Sequence, residues 1–274
     1  MAQTAASGRT TLVLASALLA LITAVAIAPG LFTSASPVET DPIHALAAPS
    51  AQHWFGTDQL GRDLFSRVLH GARPSILLGL GATALAVAGG AALGLASALG
   101  GRTTDQVLMR AADILLSLPP ILLALLAVTV LGTGSGNVMA AIAIAFVPGY
   151  ARIVRAETRV VQRSGYVEAA RLLGVRTWEL VLRHVLPNAV GPMLVLATVG
   201  FGAALIAASG LSFLGLGPQP PSPEWGAMLS QGRSFLQTAW WIGVFPGAAI
   251  TLTALAVNAV GRRAQRRFTR RTPA

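Results

Sequence analysis

The sequence contains no cysteine and no lysine, and it has few charged residues. Without cysteine the chain can form neither disulfides nor thiolate metal sites. Charged residues make up 11% of the chain and hydrophobic residues 54%, whereas a soluble domain usually carries about 25% charged residues. A soluble core could not bury this much apolar surface. The composition therefore predicts a polytopic membrane protein.

Six apolar stretches are long enough to cross a bilayer, which requires about 20 helical residues. They cover residues 11–33, 75–99, 111–132, 138–156, 189–212 and 237–260. The second is rich in glycine and alanine, and small residues let membrane helices approach closely. Pro119 and Pro120 interrupt the third, and membrane helices tolerate such breaks where neighbouring groups satisfy the freed backbone. We therefore predict an all-α membrane protein with six transmembrane helices.

Arginine supplies all 20 basic residues, and its distribution indicates the orientation of the chain. If the N-terminus is cytoplasmic, 16 arginines lie in cytoplasmic segments and four lie outside. This excess on one side follows the positive-inside rule of membrane proteins. We therefore expect both termini in the cytoplasm.

The predicted topology divides the chain into five parts. They are a cytoplasmic N-terminus at 1–10, a first transmembrane helix at 11–33, an extracytoplasmic loop at 34–74, a transmembrane core at 75–262 that includes a cytoplasmic segment at 157–187, and a basic cytoplasmic tail at 263–274. The residues "AVAIA" in the first helix are similar to a signal-peptide cleavage site, but the apolar run is long for a signal peptide. We expect an uncleaved anchor.

The net charge of +10 raises the question of nucleic-acid binding. The tail contains the basic stretch "GRRAQRRFTRR", in which Phe268 is the only aromatic residue that could stack on a base. A basic segment beside a membrane span is attracted to anionic lipid headgroups. We therefore expect the tail to contact membrane lipid, and we expect no nucleic-acid partner.

The cytoplasmic segment 157–187 is unusually polar for this chain and is predicted to form one or two short amphipathic helices. Gly174 is placed to end the first of them as a C-terminal cap, and Pro187 fixes the backbone where the next span begins. The second helix carries Trp178, Val181, Leu182 and Val185 on one face. Such a segment either lies in the lipid headgroups or docks on a soluble partner. Glu168 favours docking slightly, because an acid gains nothing at an anionic surface.

This segment resembles the EAA motif of the permease subunits of bacterial ATP-binding-cassette importers. The triplet "EAA" is followed by three residues and a glycine, and then by a twelve-residue gap to the proline of "LPN". In that family the motif forms the coupling helix, which sits in a groove of the ATPase subunit. The resemblance assigns this coupling role to Glu168, Ala169, Ala170, Gly174, Leu186 and Pro187. His184 departs from the general pattern but is familiar in the peptide and nickel branch.

Four further stretches resemble the second, or C-type, permease of dipeptide, oligopeptide and nickel importers. They are "FGTDQLGRDLFSRVLHGARPS", "ADILLSLPPILLAL", "PGYARIVRAE" and "LSFLGLGPQPPSPEWGAMLSQGR". Together with the EAA motif they cover residues 10–262 in the family's order. The "GTDQLGRD" part contacts the binding protein or has only a structural role, and the sequence leaves both readings open.

The resemblance implies the fold, the partners and the activity. The fold is that of a type I importer permease in a bacterial cytoplasmic membrane. The partners are a homologous permease, two ATPase subunits and an extracytoplasmic substrate-binding protein. The chain itself is expected to be a transport subunit with no cofactor and not an enzyme, because the sequence has no GxxxxGK[ST] phosphate loop.

Peptides are the expected substrate, and nickel or another small solute is the alternative within the family. A self-sufficient secondary transporter is the alternative from another class, but such carriers usually show duplicated halves and midplane polar residues. One departure bears on the substrate: the family often has an acid in the fifth span, where this chain has Ala208 and no carboxylate. Its absence weakens the case for a cationic substrate.

The remaining polar residues suggest no enzyme. The four histidines, His44, His53, His70 and His184, lack HExxH spacing, so we expect surface histidines and no metal site. Asp113 lies near Arg110, and we expect a local ion pair there rather than a proton relay.

The arginines at 152, 155, 159 and 163 share one helical face. We expect that face to meet solvent or headgroups, with contact to an ATPase as the alternative.

Overall fold

The computed structural model describes residues 2–175, 179, 183 and 186–269. The described residues form nine α-helices and no β-strand. The helices are α1 (Ala2–Ile27), α2 (Leu64–Leu99), α3 (Gly101–Leu116), α4 (Pro120–Leu131), α5 (Ser135–Gln162), α6 (Gly165–Leu172), α7 (Leu186–Phe213), α8 (Trp225–Gly232) and α9 (Trp241–Thr269). Short 3-10 turns occupy Pro29–Leu31, Pro42–His44 and Arg233–Phe235. Trp178, Val181, Leu182, His184 and Val185 lie outside the described residues.

Five of these helices are long and apolar enough to cross a membrane, namely α1, α2, α5, α7 and α9. Each overlaps a predicted span, and a sixth span exists if α3 and α4 are counted as one broken helix. The prediction of an all-α protein with six spans is confirmed in this form. The helix α2 starts at Leu64 rather than at the predicted residue 75, because the side chain of Asp63 caps it by accepting a 2.8 Å hydrogen bond from the Ser66 amide.

The third span, predicted over 111–132 with a break at Pro119 and Pro120, is formed by two helices that meet at a sharp bend. The described chain bends by 99° between α3 and α4. Pro119 adopts an extended backbone with ψ of 133°, and Pro120 begins the next helix. A residue that precedes proline is disfavoured in the helical region, and proline cannot donate the hydrogen bond that would continue α3. The two consecutive prolines therefore explain the bend.

Glycine allows α2 and α5 to pack against each other along much of their length. A Cβ atom added at Gly90 would lie 2.3 Å from the Cβ of Tyr150, and one added at Gly94 would lie 2.6 Å from the carbonyl oxygen of Ala151. These glycines are four residues apart, so they fall on one face of α2. The expectation that small residues permit close helix packing is confirmed for this pair.

The apolar core lies between α2, α4, α5 and α7. Its buried members include Leu78 of α2, Val128 of α4, Ile142 of α5 and Leu211 of α7. Ala208, where the fifth span carries no carboxylate, is buried in the same cluster. The cluster itself consists of apolar side chains, and Ser209 and Ser212 of α7 are also buried.

The loop before α2 folds onto the end of the bundle that is predicted to face outward, which we call the outer end. The indole Nε1 of Trp241 donates to the carbonyl of Thr57 at 3.0 Å, and Nη2 of Arg62 donates to Oε1 of Gln231 at 3.1 Å. Asp58 accepts a 2.6 Å hydrogen bond from Nε of Arg62, and both side chains are almost fully buried. The sequence left open whether "GTDQLGRD" contacts a binding protein or has a structural role. A structural role accounts for its buried polar residues.

The close packing of α2 on α5 gives a first prediction. Gly90→Ala should lower the thermal unfolding midpoint of the purified chain in detergent, because overpacking costs about 1–3 kcal/mol. Gly247→Ala is the matched control, since a Cβ there meets no atom within 4 Å. Equal midpoints for the two variants would contradict the packing argument.

Candidate functional site

The candidate site begins where α5 leaves the bundle on the side predicted to be cytoplasmic. The helix ends at Gln162, and a two-residue turn of Arg163 and Ser164 leads into α6. The turn is closed by hydrogen bonds from the amides of Arg163 to Val160 and of Val167 to Ser164. The change of direction is thus defined by the backbone within a few residues of the end of α5.

Gly174 ends α6 as the sequence predicts. Its φ is +78°, in the left-handed region that favours glycine. The amide of Val175 donates to the carbonyl of Ala170 at 3.1 Å, and the amide of Leu173 donates to the carbonyl of Ala169 at 3.1 Å. A hydrogen bond that spans five residues across a left-handed glycine is the Schellman form of a helix end. The predicted C-terminal cap is confirmed.

The end of α6 presents apolar side chains. Leu172 is 86% exposed and Leu173 is 84% exposed, while Val167 is buried and holds the start of the helix. Two adjacent leucines are therefore exposed just beyond the end of α5.

The six sequence-predicted coupling residues are only partly placed. Ala169, Ala170 and Gly174 form the end of α6, and Leu186 and Pro187 lie in the first turn of α7. The side chains of Glu168, Leu186 and Pro187 lie outside the described part of the structure. The structure thus brings three of the six together and leaves the others as predictions.

A carboxylate on α3 holds the base of α5 in position. Asp105, which is 8% exposed, accepts hydrogen bonds from Oγ of Ser97 at 2.5 Å and from Nη2 of Arg159 at 2.7 Å. Nε and Nη2 of Arg155 also donate to it, the latter at 2.7 Å. One side chain therefore ties together the end of α2, the start of α3 and the last turns of α5. We call these four residues the Asp105 clamp.

The ion pairs of α3 correct one expectation, because Asp113 pairs with Arg152 of α5 and not with Arg110. Arginines 152, 155 and 159 all pair with carboxylates of α3. Arg152 is nevertheless 54% exposed and Arg159 is 41% exposed, so the expectation that this face meets solvent or headgroups stays a prediction. Asp105 itself was missed by sequence reasoning. The sequence did contain one indication of it, because Asp105 and the arginines at the end of α5 lie in segments that are both predicted to be cytoplasmic.

A second buried carboxylate lies at the outer end of the bundle. Glu224 is fully buried, and its side chain caps α8 by accepting from the amides of Gly226 at 2.9 Å and Ala227 at 2.8 Å. Oγ of Ser75 donates to it at 3.3 Å. Burial raises the pKa of the Glu224 carboxyl above its ordinary value. Because α8 packs on α7 at Ser209, a carboxylate lies near the outer end of α7 although α7 contains none.

The histidines of the outer loop have local partners. Nδ1 of His44 lies 2.7 Å from Asp41, Nδ1 of His53 lies 2.9 Å from Asp63, and Nδ1 of His70 lies 2.9 Å from the Ser66 carbonyl oxygen. Within the described ranges, His, Asp and Glu form no group of three or more that could hold a metal ion.

Comparison with known sequences places this architecture among transport proteins. Residues 87–273 match the family model described as the binding-protein-dependent transport system inner membrane component. A dipeptide transport system permease of Alkalihalophilus pseudofirmus is 44% identical over 237 residues, covering 86% of this chain and 78% of the relative. A probable D,D-dipeptide transport system permease of Escherichia coli is 46% identical and covers 82% and 76%. A glutathione transport system permease of Pectobacterium atrosepticum is 43% identical and covers 78% and 71%.

Solved structures show the same fold at low identity. An inward-facing methionine ABC transporter is 15% identical, with a TM-score of 0.60 over 76% of this chain and 97% of that chain. An amino acid ABC transporter is 18% identical, with a TM-score of 0.56 over 73% of this chain and 94% of that chain. The arrangement of spans is therefore that of an ABC transporter permease.

The Asp105 clamp gives a second prediction. Asp105→Asn should make amide hydrogen exchange in α3 and in the last turns of α5 roughly tenfold faster, because local opening there no longer breaks two ion pairs. The control is Asp113→Asn, whose pair with Arg152 is about half exposed on both sides and should matter little. The clamp would be refuted if both variants exchanged like the wild type.

Proposed function

The chain belongs to the family of binding-protein-dependent transport system inner membrane components, and on that premise we propose that it forms the membrane pathway of an ATP-driven peptide importer. It is a permease subunit and crosses the membrane several times. We further propose the substrate, the composition of the complex, the orientation of the chain in the membrane and the residues that couple the chain to ATP hydrolysis.

One observation carries the coupling part of the proposal: α6 ends in exposed leucines at a rigid cap. An interfacial helix needs an apolar face directed at lipid, but it does not need a defined end or a braced base. Here Gly174 ends the helix, and the Asp105 clamp braces the helix from which α6 extends. A defined end and a braced base suit a helix that moves as a rigid unit with the protein to which it binds. We infer that Leu172 and Leu173 dock in the groove of an ATPase subunit, together with Glu168.

The rest of the complex follows from what this chain lacks. Its sequence has no phosphate-binding GxxxxGK[ST] loop, so ATP hydrolysis belongs to separate subunits. A symmetric pair of ATPases requires two docking segments, which calls for a second, homologous permease. An extracytoplasmic binding protein then delivers the substrate to the outer loops.

The proposed mechanism is rigid-body motion. When the ATPases close, α6 moves with its host, and the turn at Arg163 and Ser164 passes the motion to α5. The Asp105 clamp makes α3 follow α5, while Leu186 and Pro187 pass the motion to α7. Rocking of such packed units opens the pathway to alternate sides of the membrane.

The substrate is proposed from the relatives. Three of them are described as permeases for dipeptides, D,D-dipeptides and glutathione, and all three compounds are short peptides or peptide analogues. Nickel or another small solute, the alternative from the sequence, has no such relative among those reported above. We therefore propose peptide import, with both termini in the cytoplasm as the arginine distribution predicts.

The experiment that tests this function is recovery of the ATPase with the solubilised chain, followed by peptide uptake in proteoliposomes. Leu172→Ser/Leu173→Ser should lower the affinity for the ATPase by about a hundredfold or more and so abolish its recovery, since leucines contribute roughly 1.5–3 kcal/mol each when fully covered. Leu60→Ser/Leu236→Ser makes the same change on exposed leucines of the opposite side and should leave recovery unchanged.

Two outcomes would contradict the proposal. If the wild-type chain brings down no ATPase under conditions that keep complexes together, the chain works alone and α6 is an interfacial helix. If the complex forms but ATP drives uptake of nickel and of no di- or tripeptide, the coupling assignment stands and the substrate is wrong.

The cap of α6 gives a further prediction. Gly174→Ala forces an alanine into the left-handed region at a cost of about 1–2 kcal/mol, and Gly174→Pro is incompatible with the observed φ. Both should reduce peptide uptake per ATP hydrolysed, the proline variant more strongly, without loss of membrane insertion. Gly165→Ala, at the open start of the same helix, is the control. Normal uptake by both Gly174 variants would show that the cap has no role in coupling.

A further inference from the structure

A cavity of about 400 Å³ opens at the cytoplasmic edge of the bundle, beside the Asp105 clamp. It lies between the end of α2, the start of α3 and the end of α5. The polar side chains that line it are those of Ser97, Arg102, Asp105, Arg159, Gln162 and Arg163. Neither the apolar core nor the docking end of α6 accounts for it.

The lining of this cavity carries more positive than negative charge. Arg102, Arg159 and Arg163 face a single carboxylate, that of Asp105. That carboxylate is already engaged by Ser97, Arg155 and Arg159. Among the residues that the structure describes, the ion pairs involve neither Arg102 nor Arg163. Each guanidinium offers five donors and no acceptor, so the cavity offers several hydrogen-bond donors to an anion that enters it.

The start of α3 adds to this positive field. The N-cap position is Gly100, which has no side chain to accept from the first amides of the helix. The cavity wall includes Gly101, the first residue of α3. Free amides and the positive end of the dipole of a 16-residue helix favour a phosphate or carboxylate group there.

The position of α3 indicates where the anion comes from. On the face opposite Asp105, Val107 is 62% exposed and Ile114 is 64% exposed. The start of α3 follows directly on the end of α2, a helix long and apolar enough to cross the membrane, so it lies at a membrane surface. The cavity at its N-terminus then lies at the depth of the headgroups. Arginine also forms forked hydrogen bonds with phosphate oxygens.

We propose that this cavity binds the phosphate group of an anionic lipid from the cytoplasmic leaflet. Arg102 and Arg163 hold the phosphate oxygens from opposite sides, Arg159 shares its charge between the phosphate and Asp105, and Gln162 donates its amide. Because these residues come from α3 and α5, a bound lipid would brace the same junction as the Asp105 clamp. Free inorganic phosphate offers the same chemistry without the acyl chains.

The test is lipid retention by the purified full-length chain in neutral detergent, followed by native mass spectrometry. The probes are phosphatidylglycerol and phosphatidylcholine with identical acyl chains. The wild type should retain one phosphatidylglycerol in preference to phosphatidylcholine. Arg102→Gln/Arg163→Gln should lower that retention by about tenfold or more, because it removes two charge-assisted contacts.

Two further variants separate site binding from general charge and from misfolding. Arg110→Gln/Arg262→Gln removes the same charge from the same side of the membrane, outside the cavity, and should retain the lipid as the wild type does. Arg102→Lys/Arg163→Lys keeps the charge but loses the forked geometry, and should give intermediate retention. Only variants whose thermal unfolding midpoint equals that of the wild type are compared, so that loss of fold is not counted as loss of binding.

Four results would overturn the proposal. Equal retention of both lipids by the wild type would show that the headgroup charge is not recognised. An equal loss in the Arg110/Arg262 variant would show diffuse attraction. Displacement of phosphatidylglycerol by millimolar inorganic phosphate would identify free phosphate as the ligand. Cross-linking of positions 102 and 163 to a co-purified ATPase, with no lipid retained in the complex, would make the cavity a protein contact.

Discussion

The close contact between α2 and α5 is the interaction on which the rest of the bundle depends. In a membrane, lipid solvates apolar side chains as well as protein does, so helices associate through close packing and polar contacts. Gly90 and Gly94 allow the backbone of α5 to come within a distance that any side chain would prevent. This contact brings the end of α2 beside the end of α5. The Asp105 clamp, the arginine-lined cavity and the exit towards α6 all lie where those two ends meet.

Polar groups are concentrated at the two ends of the bundle, and the two ends differ in how far their charged side chains are buried. At the outer end, Asp58, Arg62 and Glu224 are buried and hydrogen-bonded within the chain, which makes the outer cap a continuous folded unit. At the end predicted to be cytoplasmic, Asp105 is buried, but Arg102 and Arg163 are exposed. Under the proposed coupling, this exposed and charged end is the one that meets the ATPase.

Local sequence rules predicted the elements that depend on local physics. Five spans followed from apolar runs, the close helix pair from small residues, and the end of α6 from a glycine after a helical stretch. The break in the third span followed from its two prolines, but the 99° angle between its halves did not, because hydropathy does not record the direction of the chain. The partners of Asp105, Asp113 and Glu224 were missed or misassigned. Arg152, Arg155, Arg159 and Ser75 lie 39 to 149 residues along the chain from the acids that they contact, and a single sequence does not show which distant polar groups meet.

The last turn of α5 lines the arginine-rich cavity and also leads into α6, so the two are mechanically linked. Arg159, Gln162 and Arg163 line the cavity, while Arg163 also makes the turn into α6. Any force on α6 therefore reaches the cavity before it reaches the apolar core. The packed glycine contact above the clamp cannot yield without separating two helices. Under the proposed coupling, motion that enters at α6 should therefore be passed on through the Asp105 clamp by α2, α3 and α5 moving together.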